Sequence, residues 1–217
     1  VALIDQTSFG KFELLGNGSL ELLQYLTTCN MDKPIGSVIY SQLCNEKGGI
    51  EADLTITRLN KEHFYIVTGS TFGIHDADWI RQHIPKEKSI YLIDVSSSRA
   101  VINICGPKSR EVLQKVSEND LSNISFPFGT AKEIIIGSAK VLAIRIGYIG
   151  ELGWELHIPT EFTHHVYKLL SKTGEKYGIR DIGYRAIESL RMENFYLYWS
   201  SDITPDYTPL EAGLDFR

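Results

Sequence analysis

The sequence predicts an α+β fold of antiparallel sheets with packed helices, arranged as two interleaved subdomains. Strand signals come in adjacent pairs instead of alternating one by one with helices. That favours antiparallel sheets over a doubly wound parallel sheet. Residues 50–137 read as a self-contained inner subdomain, so residues 1–49 and 138–217 pair as an outer, discontinuous one. The chain has 217 residues, 43% hydrophobic and 23% charged, enough for one large core or two small ones.

Residues 1–4 are strand-like, and residues 9–14 alternate and continue the sheet. Asn17, Gly18 and Ser19 supply turn and cap chemistry before a short helix with the stripe Leu20, Leu22, Leu23 and Leu26. Pro34 and Gly36 break the chain. A strand over 38–43 turns at 45–49 into a strand over 50–57, and another covers 64–68. A helix over 71–83 carries Ile74, Trp79 and Ile80 and ends before Pro85. Strands follow at 90–95 and 101–105. Gly106 and Pro107 then open a helix with Val112, Leu113 and Val116 inward, and a strand covers 134–136. After strands at 141–146 and 154–158 comes a helix running to about Tyr177, with Thr160 as candidate cap and Gly178 as its stop. His164 and His165 on it face apart and make a poor metal pair. The last helix covers 184–195, where Glu188 and Arg191 form a surface pair worth little. Residues 204–211 are loop chemistry.

Between the strands at 141–146 and 154–158 lies Gly147-Tyr148-Ile149-Gly150-Glu151-Leu152-Gly153-Trp154-Glu155. Glycine permits positive φ and close approach of another surface. Glu151 falls on the tip and Glu155 on the polar face of the following strand. Two readings stand side by side: a Gly-rich hairpin with a solvated glutamate, or a pocket wall with Glu155 aimed at a ligand. A carboxylate accepts two parallel N–H donors from a planar group.

The net charge of −5 and the lack of a Lys/Arg run argue against a nucleic-acid partner. No apolar run reaches membrane-spanning length, so no membrane partner is expected. Cys29, Cys44 and Cys105 fit neither a disulfide framework nor a zinc site; they read as buried free thiols in a reducing compartment. No metal is expected from the His, Cys and carboxylate spacings. A Walker loop, a dinucleotide fingerprint and a nucleophile elbow are missing. Asp53 follows a Gly-Gly turn on an otherwise apolar strand and shares a face with Glu51. On pattern alone that face is a half-solvated strand with outward acids. The chain opens without an initiator methionine or targeting segment, and both ends look cut, so a piece of a longer protein is expected.

Several motifs together resemble one family. They are Ile4-Asp5-Gln6-Thr7-Ser8-Phe9-Gly10-Lys11-Phe12, Leu43-Cys44-Asn45-Glu46-Lys47-Gly48-Gly49-Ile50, the 147–155 loop, Ser189-Leu190-Arg191-Met192-Glu193, and Asp202-Ile203-Thr204-Pro205 with Thr208-Pro209-Leu210-Glu211-Ala212-Gly213-Leu214. In this order they resemble the folate-binding aminomethyltransferase domain of the glycine cleavage T-protein. Within that superfamily they are nearest the C-terminal half of dimethylglycine and sarcosine dehydrogenases. The resemblance implies the aminomethyltransferase fold with its C-terminal barrel absent here, and a tetrahydrofolate cofactor. It implies Asp53 as the catalytic aspartate, Glu155 as the pterin ligand, and Tyr40 and Tyr148 near the folate. FAD is implied only where an N-terminal flavin domain accompanies the chain. One position departs: where the glycine cleavage protein has an arginine, this chain has Ile187, which cannot bind a carboxylate.

The function so implied is one-carbon transfer to tetrahydrofolate from an oxidised N-methyl amine or formaldehyde, giving 5,10-methylenetetrahydrofolate. The expected partners are folate and a small methylated amine. The expected compartment is the cytoplasm, or the mitochondrial matrix in a eukaryote. Two alternatives stay open. One is a regulatory protein resembling the regulatory subunit of pyruvate dehydrogenase phosphatase, a likeness that extends to Lys176-Tyr177-Gly178-Ile179-Arg180. The other is a folate-dependent demethylase.

Overall fold

The computed structural model describes residues 1–215. Its strands are β1 (Ala2–Asp5), β2 (Gly10–Leu15), β3 (Val38–Cys44), β4 (Ile50–Asn60), β5 (His63–Thr68) and β6 (Tyr91–Asp94). They continue as β7 (Arg99–Cys105), β8 (Thr130–Ile136), β9 (Ala139–Arg145), β10 (Gly153–Pro159) and β11 (Arg180–Asp181). The helices are α1 (Ser19–Leu26), α2 (Gly73–Gln82), α3 (Ser109–Val116), α4 (Thr163–Gly174) and α5 (Tyr184–Glu193).

The chain forms two compact units. The first joins Val1–Ser8 to Ser97–Tyr196 and holds a six-stranded sheet in the order β11-β1-β7-β10-β9-β8. Its neighbours are antiparallel except β1 and β11, which run parallel. One sheet face packs Ile102, Ile104, Trp154, Leu156 and Ile158 against Val112 and Leu113 of α3 and Val166 and Leu170 of α4. Trp154 is fully buried, with the Phe126 ring 6.2 Å away edge-on and the Arg110 and Arg145 guanidinium groups 5.4 and 5.5 Å from its ring.

The second unit joins Phe9–Ser96 to the chain from Leu197 onward. Its five-stranded sheet, β3-β4-β5-β2-β6, is antiparallel throughout. Leu22, Leu23 and Leu26 of α1 and Ala77 and Ile80 of α2 pack on Leu14, Leu43, Leu54, Ile56 and Phe64. The expected α1 stripe is therefore the buried one. Its N-terminus is capped from a distance: the Glu62 carboxylate accepts the N–H groups of Gly18 (3.2 Å) and Leu20 (3.1 Å).

Several expectations are corrected. The strand after β1 does not continue its sheet; β2 starts the other one. The turn between them is pinned where Thr7 N–H donates to Asp5 Oδ1 and Thr7 Oγ1 accepts from Val101 N–H. The unit boundaries also lie elsewhere than at 49/50 and 137/138. Cuts there would split the β3–β4 and β8–β9 hairpins, whose strands are hydrogen-bonded neighbours. Thr160 does not cap α4: its hydroxyl donates to Ser97 O, and a short 3-10 turn, Thr160–Phe162, leads into the helix. Arg191 is not a surface residue but 3% exposed; beyond its bond to Glu188 it donates to Tyr196 O at 2.7 Å and so fastens the chain leaving α5.

Two glycines test how far backbone contacts dictate sequence. A Cβ on Gly49 would lie 2.0 Å from Pro205 O, whereas one on Gly178 would meet nothing within 4 Å and only strain its φ of +67°. Gly49→Ala is expected to cost about 2–3 kcal/mol by forcing backbone apart, and Gly178→Ala about 1 kcal/mol. Urea denaturation midpoints of the two variants check the ranking.

Candidate functional site

On the second unit, β3 and β4 place Tyr40 opposite Thr55 and Gln42 opposite Asp53. Opposed residues of an antiparallel pair project to one face, so Tyr40, Gln42, Glu51, Asp53 and Thr55 share it. Leu43, Ala52, Leu54 and Ile56 take the other face into the core. The alternation read from the sequence at Glu51 and Asp53 is therefore observed, and both are half-buried. Gln42 is fully buried, and its Nε2 donates to Asp53 Oδ1 at 3.2 Å. Asn45 Nδ2 donates to Glu51 Oε1 at 2.8 Å. Tyr40 packs at the edge of a cluster of Ile50, Ile203, Leu214 and Trp199. Trp199 Nε1 also donates to Ile50 O at 3.1 Å. An apolar cavity of about 410 Å³ beside Cys44, Thr208 and Leu214 includes neither Asp53 nor Tyr40 in its lining.

On the first unit, β10 sets Glu155 opposite Asn103 of β7 and Ile144 of β9; Ile4 of β1 lies opposite Asn103 on its other side. The next row holds His157 beside Val101, and Gln6 N–H donates to Val101 O. Gln6, Asn103, Glu155 and His157 thus share a face, at 4, 4, 9 and 0% exposure. Here the expectation of a polar, solvated strand face is corrected: β10 is buried on both faces up to Ile158, and Glu155 is a buried carboxylate, while Glu151 at the loop tip is exposed. Glu155 Oε2 lies 3.6 Å from Nε2 of His157. Asn103 Oδ1 and Gln6 Oε1 are buried with no hydrogen-bond partner among the described residues. The face therefore offers a carboxylate and uncharged carbonyl acceptors to a ligand rich in N–H donors.

The glycine loop is held by α5. Asn194 Nδ2, just past its end, donates to Ile149 O at 3.1 Å, and a Cβ on Gly150 (φ +71°) would sit 2.4 Å from Asn194 Oδ1. Tyr148 stacks on Tyr196, ring centroids 6.1 Å apart, and packs on the cluster of Ile4, Cys105, Ile149 and Ile187. Ile187, the departure noted above, is 2% exposed in that cluster and serves packing. The four site residues thus divide: Asp53 and Tyr40 belong to one unit, Glu155 and Tyr148 to the other. Gln42 and Asn103 escaped the sequence reading. Asn103 signalled itself only as a polar residue between Ile102 and Ile104; Gln42, between Ser41 and Leu43, gave no comparable signal.

The chain belongs to the GCVT N-terminal domain family, which matches residues 1–217. It is 39% identical over 229 residues to mitochondrial sarcosine dehydrogenase of Homo sapiens, covering 99% of this chain and 25% of that one. It is 36% identical to the mitochondrial pyruvate dehydrogenase phosphatase regulatory subunit of Mus musculus, covering 100% of this chain and 25% of that one. The chain thus spans about a quarter of these relatives. The crystal structure of glycine cleavage system aminomethyltransferase T from Bartonella henselae superposes with a TM-score of 0.83 at 26% identity, over 96% of this chain and 55% of that one. The expected α+β aminomethyltransferase fold is therefore the observed one. No helix among the described residues is long and apolar enough to cross a membrane.

The thiols differ. Cys29 and Cys105 are buried, but Cys44 is only half-buried, which corrects the expectation for that residue. Burial, and then the Glu151 carboxylate, push the Cys105 thiol up to about 11. Burial and then Glu51 also raise Cys44. The thiolate is the nucleophile, so at pH 8 Cys105 stays protonated. Iodoacetamide at pH 8 is expected to leave Cys105 unlabelled in the native chain and to label it in urea, as read by mass spectrometry of peptides.

Proposed function

We propose that this chain is a tetrahydrofolate-binding one-carbon transfer domain, forming 5,10-methylenetetrahydrofolate from an oxidised N-methyl amine or formaldehyde. The observation that carries the reading is the buried acceptor pair, Glu155 and Asn103 Oδ1, facing each other across β10 and β7. A pterin presents an amino group and a ring N–H side by side, which a carboxylate accepts in parallel. An unpaired buried acceptor costs about 1–3 kcal/mol, which a donor on the ligand relieves. The residues of the first unit therefore fit the group: Glu155 and Asn103 would hold the pterin and Tyr148 would offer aromatic surface, while Tyr40 is the aromatic residue assigned to folate on the second unit. When bound, tetrahydrofolate supplies the nucleophilic nitrogens that take up the carbon unit.

The protein's part in the chemistry falls to Asp53. An amine that attacks an electrophilic carbon must lose a proton. The Asp53 carboxylate, oriented by Gln42, would accept it or stabilise the preceding cation. The methylated amine as carbon source rests on the likeness to sarcosine dehydrogenase, and FAD enters only through a flavin domain outside this chain. The likeness to a phosphatase regulatory subunit supports a second reading, in which the scaffold acts through a protein partner.

Anaerobic titration with tetrahydrofolate, followed by calorimetry on the full-length protein that carries the chain, separates the two. Saturable binding is expected, weakened about 10- to 100-fold in Glu155→Gln. Asp53→Asn is expected to keep binding and to lose turnover about 100-fold or more. No binding by the full-length protein, together with tight binding to a phosphatase catalytic subunit, would move the assignment to regulation.

A further inference from the structure

The first turn of α2 carries a histidine that the one-carbon reading does not use. His75 Nδ1 lies 3.0 Å from Asp76 Oδ1. Asp76 is 2% exposed, and its other oxygen accepts the Thr68 hydroxyl at 2.5 Å. Burial raises the Asp76 carboxyl, while the bonds from His75 and Thr68 pull it back down. A carboxylate placed this way can accept from a protonated Nδ1, which turns Nε2 toward Glu51. That Nε2 lies 3.7 Å from Glu51 Oε2. The Trp199 ring lies 6.3 Å from the His75 ring and meets Phe72 edge-on at 4.6 Å. The side chain of His75 is 49% exposed, so one end of the arrangement is wet and the other dry. The charged groups facing the imidazole are Asp76 from its own helix and Glu51 from β4; Asn45 of the preceding turn fixes the second oxygen of Glu51.

We propose that Asp76, His75 and Glu51 form a proton relay serving the carboxylate face of β4. The inference rests on the one-carbon reading, because Glu51 and Asp53 stand two residues apart on that face, about 7 Å along the strand. Asp53 takes the proton from the substrate nitrogen; its new O–H bond breaks as a solvent water on this half-buried face accepts that proton and gives one of its own to Glu51. The O–H bond of Glu51 then breaks as an N–H bond forms at Nε2 of His75. The imidazolium, its charge balanced by Asp76, releases the proton to solvent. No electrons move, and solvent water is the one co-reactant. A histidine serving only as a surface ion-pair partner needs neither a buried carboxylate behind it nor a second donor, Thr68, holding that carboxylate in place.

The test is tetrahydrofolate-dependent turnover with formaldehyde as carbon donor, on the full-length protein, for wild type, His75→Ala and Asp53→Asn. His75→Ala is expected to lower kcat about 10- to 100-fold at unchanged KM, and added imidazole is expected to restore it, which a purely structural loss would not allow. Nitrogen NMR of the neutral ring is expected to show the proton on Nδ1. Full activity of His75→Ala, a loss that imidazole does not restore, or a ring protonated on Nε2 overturns the relay. If Asp53→Asn is inactive in the same assay, only the relay falls. Absence of folate-dependent turnover in the wild type overturns both.

Discussion

The register of β10 against β7 is the constraint on which the first unit depends. With Trp154 opposite Ile104 and Leu156 opposite Ile102, one set of side chains enters the core. The alternate set, Glu155 and His157, lands beside Asn103 and Val101. A slip of one residue would drive Glu155 into the apolar core and expel Trp154, because the side-chain period of a strand is two. Packing and site geometry are therefore fixed by one choice. The two arginine planes near Trp154 and the Asn194 contact to the glycine loop hold the strand and its entry in that register.

The second unit solves a similar problem differently. Its site face is the half-buried side of β3 and β4, opposite a continuous core. Acids are tolerated there because neutral amides reach them: Gln42 for Asp53 and Asn45 for Glu51. An amide steadies a carboxylate without cancelling its charge, whereas an arginine would neutralise it.

Much of this was legible in the sequence. Helix stripes such as Leu22, Leu23 and Leu26 depend on local periodicity, and so do the paired strands; both are found where the pattern places them. The motifs matched to a family also carried the fold, because they span the chain from Ile4 to Leu214. What escaped depends on partners far away in sequence. Thr160 has cap chemistry, yet its hydroxyl is drawn to Ser97 O, and the first N–H groups of α1 are capped by Glu62 rather than by a neighbour. Arg191 reads as a surface residue by helix spacing but is buried because the chain after α5 folds back over it. The expected cuts at 49/50 and 137/138 fall inside hairpins, whose hydrogen bonds composition does not register.

The site residues show the same division at finer grain. Alternation could place Asp53 and Glu51 on one face, since a strand with one solvated side writes its pattern as polar and apolar in turn. It could not reveal that Glu155 is buried, because β10 has no solvated side up to Ile158: a glutamate and a histidine in a strand covered on both faces look from sequence like an exposed edge. Burying a carboxylate is costly even with a histidine Nε2 3.6 Å away, and a buried asparagine carbonyl left without a donor adds to that cost. A fold gains nothing in stability from such a pair. Two acceptors facing each other on adjacent central strands, in a sheet whose other face is filled with apolar side chains, are the observation behind the proposed pterin site, since a ligand's donors would relieve that cost.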